Sequence, residues 1–183
     1  MSQSRVATRY ATALFNEAQQ TGILETIIGD VRGLRTMLTD SRDFAVFVAS
    51  PVIKTDKKAA TLKALAEKAA LAPLMKNFLS LLVEKSRVAE LANILDSFEK
   101  LYNNAGGIVP VEVSSAIELD ATQKENLLKK LQVQTGKKPQ ATYTINPTLI
   151  GGFTAQVGDS MMDGSIKHQL TLLKKRLLEG ALN

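Results

Sequence analysis

The chain has 183 residues, 45% of them hydrophobic and 22% charged, a composition typical of a globular protein of one or two domains. It contains no cysteine, which excludes disulfides, thiolate zinc sites and cysteine nucleophiles. The formal net charge is +5, yet basic and acidic residues are intermixed along most of the chain, as in Glu84-Lys85. That mixing favours a solvated surface over a nucleic-acid-binding stripe, and the 5% aromatic content argues against platforms for stacking bases.

Residues 5 to 104 have helical periodicity, interrupted at short intervals by turn-forming residues. Thr55 or Asp56 is suited to capping the fourth helix, and Pro73 stands where proline fits the first turn of the fifth. Six helices joined by short loops predict an antiparallel bundle. The breaks between them are expected at Gly22, Thr39 to Ser41, Ser50-Pro51, Ala72-Pro73 and Ser86-Arg87.

The composition changes after the sixth helix, at Asn103 to Gly107, which predicts a domain boundary with domains of residues 1–105 and 106–183. A strand follows from Ile108 to Val113, and Pro110 would place it near a sheet edge. Asp120 with Gln123 is a capping-box pattern, and it opens a helix that should end at Gly136.

The last third of the chain alternates apolar and polar residues in short runs. Pro139 to Ile145 carries Ala141, Tyr143 and Ile145 on one face, and a strand pair is expected around Gly158. A final helix should begin at Ile166, next to a capping serine. The sequence therefore predicts a mainly α fold, an N-terminal six-helix bundle followed by a small α+β C-terminal domain.

Turn-forming residues are concentrated between the last strands and the last helix, and they are explained by turns rather than by catalysis. The motif consists of Gly151, Gly152, Gly158, Asp159, Asp163, Gly164 and Ser165. This arrangement, Gly-Gly-aromatic, then Gly-Asp, then Asp-Gly-Ser before a terminal helix, resembles the C-terminal signature of the delta subunit of F-type ATP synthases, called the oligomycin sensitivity-conferring protein in mitochondria. Arg9 to Phe15 looks like that family's opening helix, and the resemblance covers the whole chain.

Two helices carry more apolar surface than a small bundle requires. At about 100° per residue, the apolar arcs span about 200° on the first helix and about 220° on the fifth, against about 140° on the sixth. Either both helices lie centrally in the bundle, or a groove between them receives an amphipathic helix. The resemblance implies the groove, with the N-terminal helix of an alpha subunit as its occupant. The candidate partner-binding residues are Val6, Tyr10, Ala13, Leu14, Phe78, Leu79, Leu82 and Val83.

No residue pattern indicates catalytic, cofactor-binding or metal-binding chemistry. His168 is the only histidine and has no triad partner in the sequence. The segment Gly136 to Pro139 lacks the upstream glycine and following hydroxyl residue of a phosphate loop. Asp159 and Asp163, which could suggest paired carboxylates, are explained by turn geometry. The sequence therefore predicts a non-catalytic protein without a cofactor.

The resemblance implies a stator subunit that links the catalytic head to the b-type subunits of the peripheral stalk, so that proton-driven rotation is coupled to ATP synthesis. It implies a hetero-oligomeric complex, no nucleic acid, and membrane association only through that complex. No apolar run approaches the roughly 20 residues of a spanning helix, and no clear targeting segment precedes the first helix. We expect the cytoplasmic face of a bacterial plasma membrane, with the matrix side of the mitochondrial inner membrane as the alternative. A basic nucleic-acid-binding or ribosome-associated α+β protein is the alternative function.

Overall fold

The computed structural model describes residues 5–158 and 160–180, the last five by their backbone only. The chain forms two compact units, of which the first ends at Tyr102 and the second begins at Asn103. The division falls within the last turn of the sixth helix, three residues before the sequence-based estimate. Among the described residues, no helix has the length and apolar character needed to cross a bilayer.

The first unit is a six-helix bundle, as predicted. Its elements are α1 (Arg5–Gln20), α2 (Leu24–Asp40), α3 (Arg42–Ala49), α4 (Thr55–Lys68), α5 (Pro73–Glu84), a single 3-10 turn (Val88–Glu90) and α6 (Leu91–Ala105). Gly22 has a φ of +68°, which suits the tight return between α1 and α2, and Pro73 begins α5 as predicted. The start of α4 differs from the prediction, because its N-cap is Lys54 and no side chain caps it.

Small residues on α1 allow the neighbouring helices to approach closely. Ala7, Ala11 and Ala18 are fully buried, and Phe15 packs edge-on against Phe98 of α6 with ring centroids 5.9 Å apart. Phe98 is itself fully buried. The core of the bundle is therefore built between α1 and α6 as well as along the chain-neighbouring helices.

Polar contacts fix the direction of α6 against α2. The Arg35 guanidinium lies 3.2 Å from the Asp96 carboxylate near the start of α6, whereas the Tyr102 hydroxyl at its end donates a 2.9 Å bond to Glu25 at the start of α2. That hydrogen bond raises the pKa of Tyr102. The two helices therefore run antiparallel. The salt bridge is exposed, so it contributes orientation more than stability.

Two further bonds hold helix ends in place. The backbone N–H of Ala72, just before α5, donates to the Asp30 carboxylate of α2 at 2.9 Å. The buried Lys58 ammonium donates to the Val48 carbonyl near the end of α3 at 3.0 Å. Both bonds satisfy backbone groups that helix termini leave without partners.

The second unit is a four-stranded sheet with one packed helix. Its elements are β1 (Ile108–Ser115), α7 (Ala121–Thr135), β2 (Lys138–Ile145), β3 (Phe153–Val157), β4 (Ser160–Asp163) and α8 (Ile166–Gly180). The strand order is β2-β1-β3-β4, with β1 parallel to β2 and the other neighbours antiparallel. The described core consists of Val111, Val113, Leu127, Leu131 and Ala155.

Pro110 does not place β1 at a sheet edge, which corrects the sequence-based expectation. β1 lies between β2 and β3. However, its pairing with β3 begins only at Val111, so Pro110 has a neighbouring strand on one side alone. The missing N–H of proline is tolerated because this position is locally an edge.

The capping box at the start of α7 forms as predicted. The Asp120 carboxylate accepts from the Gln123 N–H at 2.7 Å, and the Gln123 side chain accepts from the Asp120 N–H at 3.1 Å. Gly136 ends the helix with a φ of +65°.

Replacing Asp120 with alanine should lower the free energy of unfolding of the second unit by about 1 kcal/mol, because it leaves an N-terminal N–H of α7 without its partner. Asp120→Asn keeps an acceptor oxygen and should recover most of that loss. Hydrogen exchange of the α7 amides measures both effects. Equal protection in the Asp120→Ala variant and the unchanged chain would contradict the stabilising role of the capping box.

Candidate partner-binding site

A groove of about 750 Å³ runs between α1 and α5 on the first unit. Apolar side chains make up most of its wall and charged side chains lie at its rim. The groove is lined by Val6, Arg9, Tyr10, Ala13, Leu14 and Glu17 of α1, by Leu74, Asn77, Phe78 and Leu81 of α5, and by Arg87.

Helical spacing explains why these side chains converge. Leu74, Phe78 and Leu81 follow each other at steps of four and three residues, so they share one face of α5. Tyr10 of α1 meets Phe78 edge-on, with ring centroids 6.4 Å apart. Leu81 remains 39% exposed and Tyr10 is only partly buried, so the groove presents apolar surface that this unit does not cover.

Five of the eight residues predicted to bind a partner line this groove. They are Val6, Tyr10, Ala13, Leu14 and Phe78. Their role in binding stays a prediction, since the structure shows only that they lie together on an accessible surface.

Leu79, Leu82 and Val83 do not line this groove, which corrects their assignment. Leu82 is fully buried in the bundle core. Leu79 and Val83 face α4, where they line a separate hollow of about 790 Å³. The broad apolar arc of α5 therefore contains residues that line the groove, residues of the core and residues that face α4. The width of the arc in the sequence does not show which residue belongs to which of these three surfaces.

Sequence reasoning missed the charged rim of the groove and did not select Leu74 and Leu81 as candidates. Both leucines share the i, i+4, i+7 spacing with Phe78, which was available in the sequence. The positions of Arg9, Glu17 and Arg87 at the groove depend on which helices pack together. That information was not available without the tertiary structure.

The glycine motif forms a clasp between the start of β3 and the start of α8. The Phe153 carbonyl accepts from the Gly164 N–H at 2.9 Å, and the Gly151 carbonyl accepts from the Ile166 N–H at 3.0 Å. Gly152 has a φ of +81°, and a Cβ there would lie 2.4 Å from the Gly164 carbonyl oxygen. The backbone approach therefore requires glycine at position 152.

Asp163 and Ser165 complete the clasp by capping α8. The Ser165 N–H donates to Asp163 Oδ1 at 2.9 Å, and Ser165 Oγ accepts from the His168 N–H at 3.2 Å. Hydrogen bonds from Ser165 lower the pKa of Asp163, and the neighbouring His168 adds to the effect. These contacts are those of a helix N-terminus, so Asp163 and His168 serve the cap.

Two positions of the motif remain, Gly158 and Asp159. Gly158 has a φ of +58° in the turn between β3 and β4, as the strand-pair prediction required. Asp159 lies outside the described residues. Across residues 5–158 and 160–175, no three His, Asp or Glu side chains are grouped so that they could hold a metal ion.

The terminal helix α8 carries an apolar stripe that the second unit leaves uncovered. Every residue from Ile166 to Lys175 is exposed. Ile166, Leu170 and Leu173 lie at steps of four and three residues, so they share one face, and Leu170 is 58% exposed. The sequence predicted that this helix would complete the α+β unit. In the described residues, the helix is attached to the rest of the unit mainly by hydrogen bonds at its N-terminus. Such a stripe is typical of a surface that meets a partner.

The comparisons with known proteins cover nearly the whole chain. The family model described as ATP synthase delta (OSCP) subunit matches residues 6–177. An ATP synthase subunit delta of Chlorobium phaeobacteroides (strain BS1) is 36% identical over 181 residues, which are 99% of this chain and 100% of that protein. The protein of the same name from Fuscovulum blasticum is 37% identical over 174 residues, 95% of this chain and 94% of that protein.

A solved structure has the same fold. A chain of the cryo-EM structure of the Toxoplasma gondii mitochondrial ATP synthase hexamer superposes with a TM-score of 0.72 at 30% identity. The match covers 96% of this chain and 98% of that one. The chain belongs to the ATP synthase delta (OSCP) subunit family.

Proposed function

We propose that this chain is a stator subunit that links the catalytic head of an F-type ATP synthase to its peripheral stalk. Family membership carries this conclusion, because the delta (OSCP) subunit is a non-catalytic structural subunit. The family match over residues 6–177 also replaces the nucleic-acid-binding alternative. Proton flow and ATP formation take place on other subunits.

The first unit would bind the catalytic head through the groove between α1 and α5. Its occupant would be the N-terminal helix of an alpha subunit, laid along the apolar wall. Covering five or six large side chains at about 1.5–3 kcal/mol each gives roughly 10 kcal/mol before the costs of association are subtracted. That is enough for the tight attachment that a static link requires.

The second unit would bind the b-type subunits of the stalk through α8. The exposed stripe of Ile166, Leu170 and Leu173 supports this, because an isolated helix with an uncovered apolar face is stabilised by packing against another helix. The clasp of Gly151, Gly152 and Gly164 would fix the angle at which α8 leaves the sheet.

The two contacts together would resist the torque of the rotor, so that the head stays still while the rotor turns. The protein would act within a hetero-oligomeric complex, without cofactor or nucleic acid, and would be associated with the membrane only through that complex. We place it at the cytoplasmic face of a bacterial plasma membrane. The matrix side of the mitochondrial inner membrane is the alternative, and the Toxoplasma structure is that of a mitochondrial ATP synthase.

Replacing Leu170 with Asp should weaken binding of the b-type subunits by about tenfold or more, because a charge would enter the apolar contact. Titrating the full chain with the b-type subunits measures it. Thr171→Asp places the same charge about 100° further round α8, outside the stripe of Ile166, Leu170 and Leu173, and should bind normally. Binding of the head should be unchanged in both variants. Equal stalk binding by the two variants would remove the stalk role assigned to α8.

A further inference from the structure

The groove between α1 and α5 carries opposite charges at its two ends. Its rim holds two cations, Arg9 and Arg87, and one carboxylate, Glu17. All three side chains are exposed, and none of them forms an ion pair within 4 Å with another described side chain. The rim therefore offers charges that are not compensated within the described part of the chain.

The helix directions show that the two arginines lie at the same end. α2 returns along α1 after a short turn, and α6 runs antiparallel to α2, so α6 runs parallel to α1. Phe98 of α6 is level with Phe15 of α1, where their rings meet. α6 begins at Leu91, about two helical turns before Phe98, and Arg87 precedes that start, which brings it level with the first turns of α1.

Glu17 lies at the opposite end of the groove. Arg9 belongs to the first turns of α1, and Glu17 follows it by about two turns toward the C-terminus of that helix. Between them the apolar wall is centred on the contact of Tyr10 with Phe78. The groove is thus cationic at one end, apolar in the middle and anionic at the other end.

We propose that the groove binds an amphipathic helix in one fixed direction, with carboxylates at the Arg9 and Arg87 end and a cationic side chain beside Glu17. This inference rests on the proposed function, and it adds the charge pattern and the direction of the bound helix. The occupant spans about three turns, the length of α1 that lines the groove. Its apolar stripe supplies affinity, and its charged ends select the direction, because the reversed helix would bring like charges together.

The test uses the full chain and four synthetic helical peptides with the same apolar stripe. The first peptide carries two Glu at one end and one Lys at the other, and the second carries Gln at those three positions. At low salt the first should bind about tenfold more tightly than the second. That difference is what the binding free energies of several exposed ion pairs add up to. A third peptide, with Glu at both ends, should lose a large part of that advantage because one end now faces Glu17.

The double variant Arg9→Gln/Arg87→Gln should bring the first peptide to the affinity of the second. The matched control Arg42→Gln/Lys100→Gln removes two exposed cations that do not line the groove and should preserve the tenfold difference. Raising the salt concentration should reduce that difference. Direction is read from a spin label placed at the acidic end of the first peptide, which should broaden resonances near Arg9 more strongly than those near Glu17, about 12 Å further along α1.

Failure of this inference is distinguishable from failure of the proposed groove. Equal affinities of the first three peptides for the unchanged chain, or broadening that is equally strong at both ends of the groove, would overturn the charge pattern and leave the groove as a binding site. A fourth peptide, in which Asp interrupts the apolar stripe, tests the groove itself. If it binds as well as the second peptide, or if no peptide binds, both proposals fall.

Discussion

Replacing Leu81 with Asp is expected to weaken binding of the catalytic head by about hundredfold or more, while the bundle stays folded. Leu81 lines the groove and is 39% exposed, so the free chain tolerates a carboxylate there in contact with water. In the complex the same carboxylate would be covered by the apolar face of the bound helix. The lost apolar burial and the desolvated charge together are worth about 3 kcal/mol or more. Titration of the full chain with the purified head measures the change in affinity.

Two other substitutions separate binding from folding in this experiment. Val46→Asp places the same charge at a 60% exposed valine of α3 outside the groove, and it should leave head binding unchanged. Leu82→Asp changes the next residue of the chain and should unfold the bundle, because the Leu82 side chain is fully buried. If the Leu81 variant lost its helical circular dichroism like the Leu82 variant, Leu81 would be needed for folding, and the experiment would contradict its role as a surface residue of the groove. Full affinity in a folded Leu81 variant would place the head elsewhere.

The adjacent leucines show where sequence reasoning on the bundle ended. Periodicity identified the six helices and the excess apolar surface of α1 and α5, because both depend on residues close together in the chain. Leu82 was assigned to the partner-binding surface, but it does not line the groove. The packing of the neighbouring helices decides which residues of an apolar arc are buried in the core. Leu81 and Leu82 differ by only about 100° around α5, and that rotation separates a groove position from a fully buried one.

The C-terminal motif was predictable as turns but not as a clasp. Local chemistry identified Ser165 as the cap of α8 and Gly158 as a turn residue, and the structure confirms both. The requirement for glycine at position 152 arises from Gly164, which is distant in sequence and approaches only when β3 and α8 are in place. A pattern of glycines indicates that space is restricted at those positions, but it does not show which residue lies opposite.

Replacing Gly152 with Ala is expected to destabilise the second unit by about 3 kcal/mol or more, a large share of the 5–15 kcal/mol that a domain possesses. The φ of +81° alone costs an L-residue about 1–2 kcal/mol. The added Cβ would also lie 2.4 Å from the Gly164 carbonyl oxygen and 2.9 Å from the Ser165 Cα, which are backbone atoms that no rotamer change can move away. The clasp must therefore open or the turn must be rebuilt.

Hydrogen exchange is the suitable measurement, because a chain of two units does not guarantee a single two-state transition. The amides of Gly164 and Ile166, which donate to Phe153 and Gly151, should lose protection first. Gly158→Ala is the matched control, since its φ of +58° carries a similar backbone cost but, its chain neighbours aside, no atom of the described residues lies within 4 Å of the added Cβ. It should cost only about 1 kcal/mol. Equal losses in the two variants would mean that backbone strain alone explains the need for glycine at position 152, and the close approach to Gly164 would then add nothing.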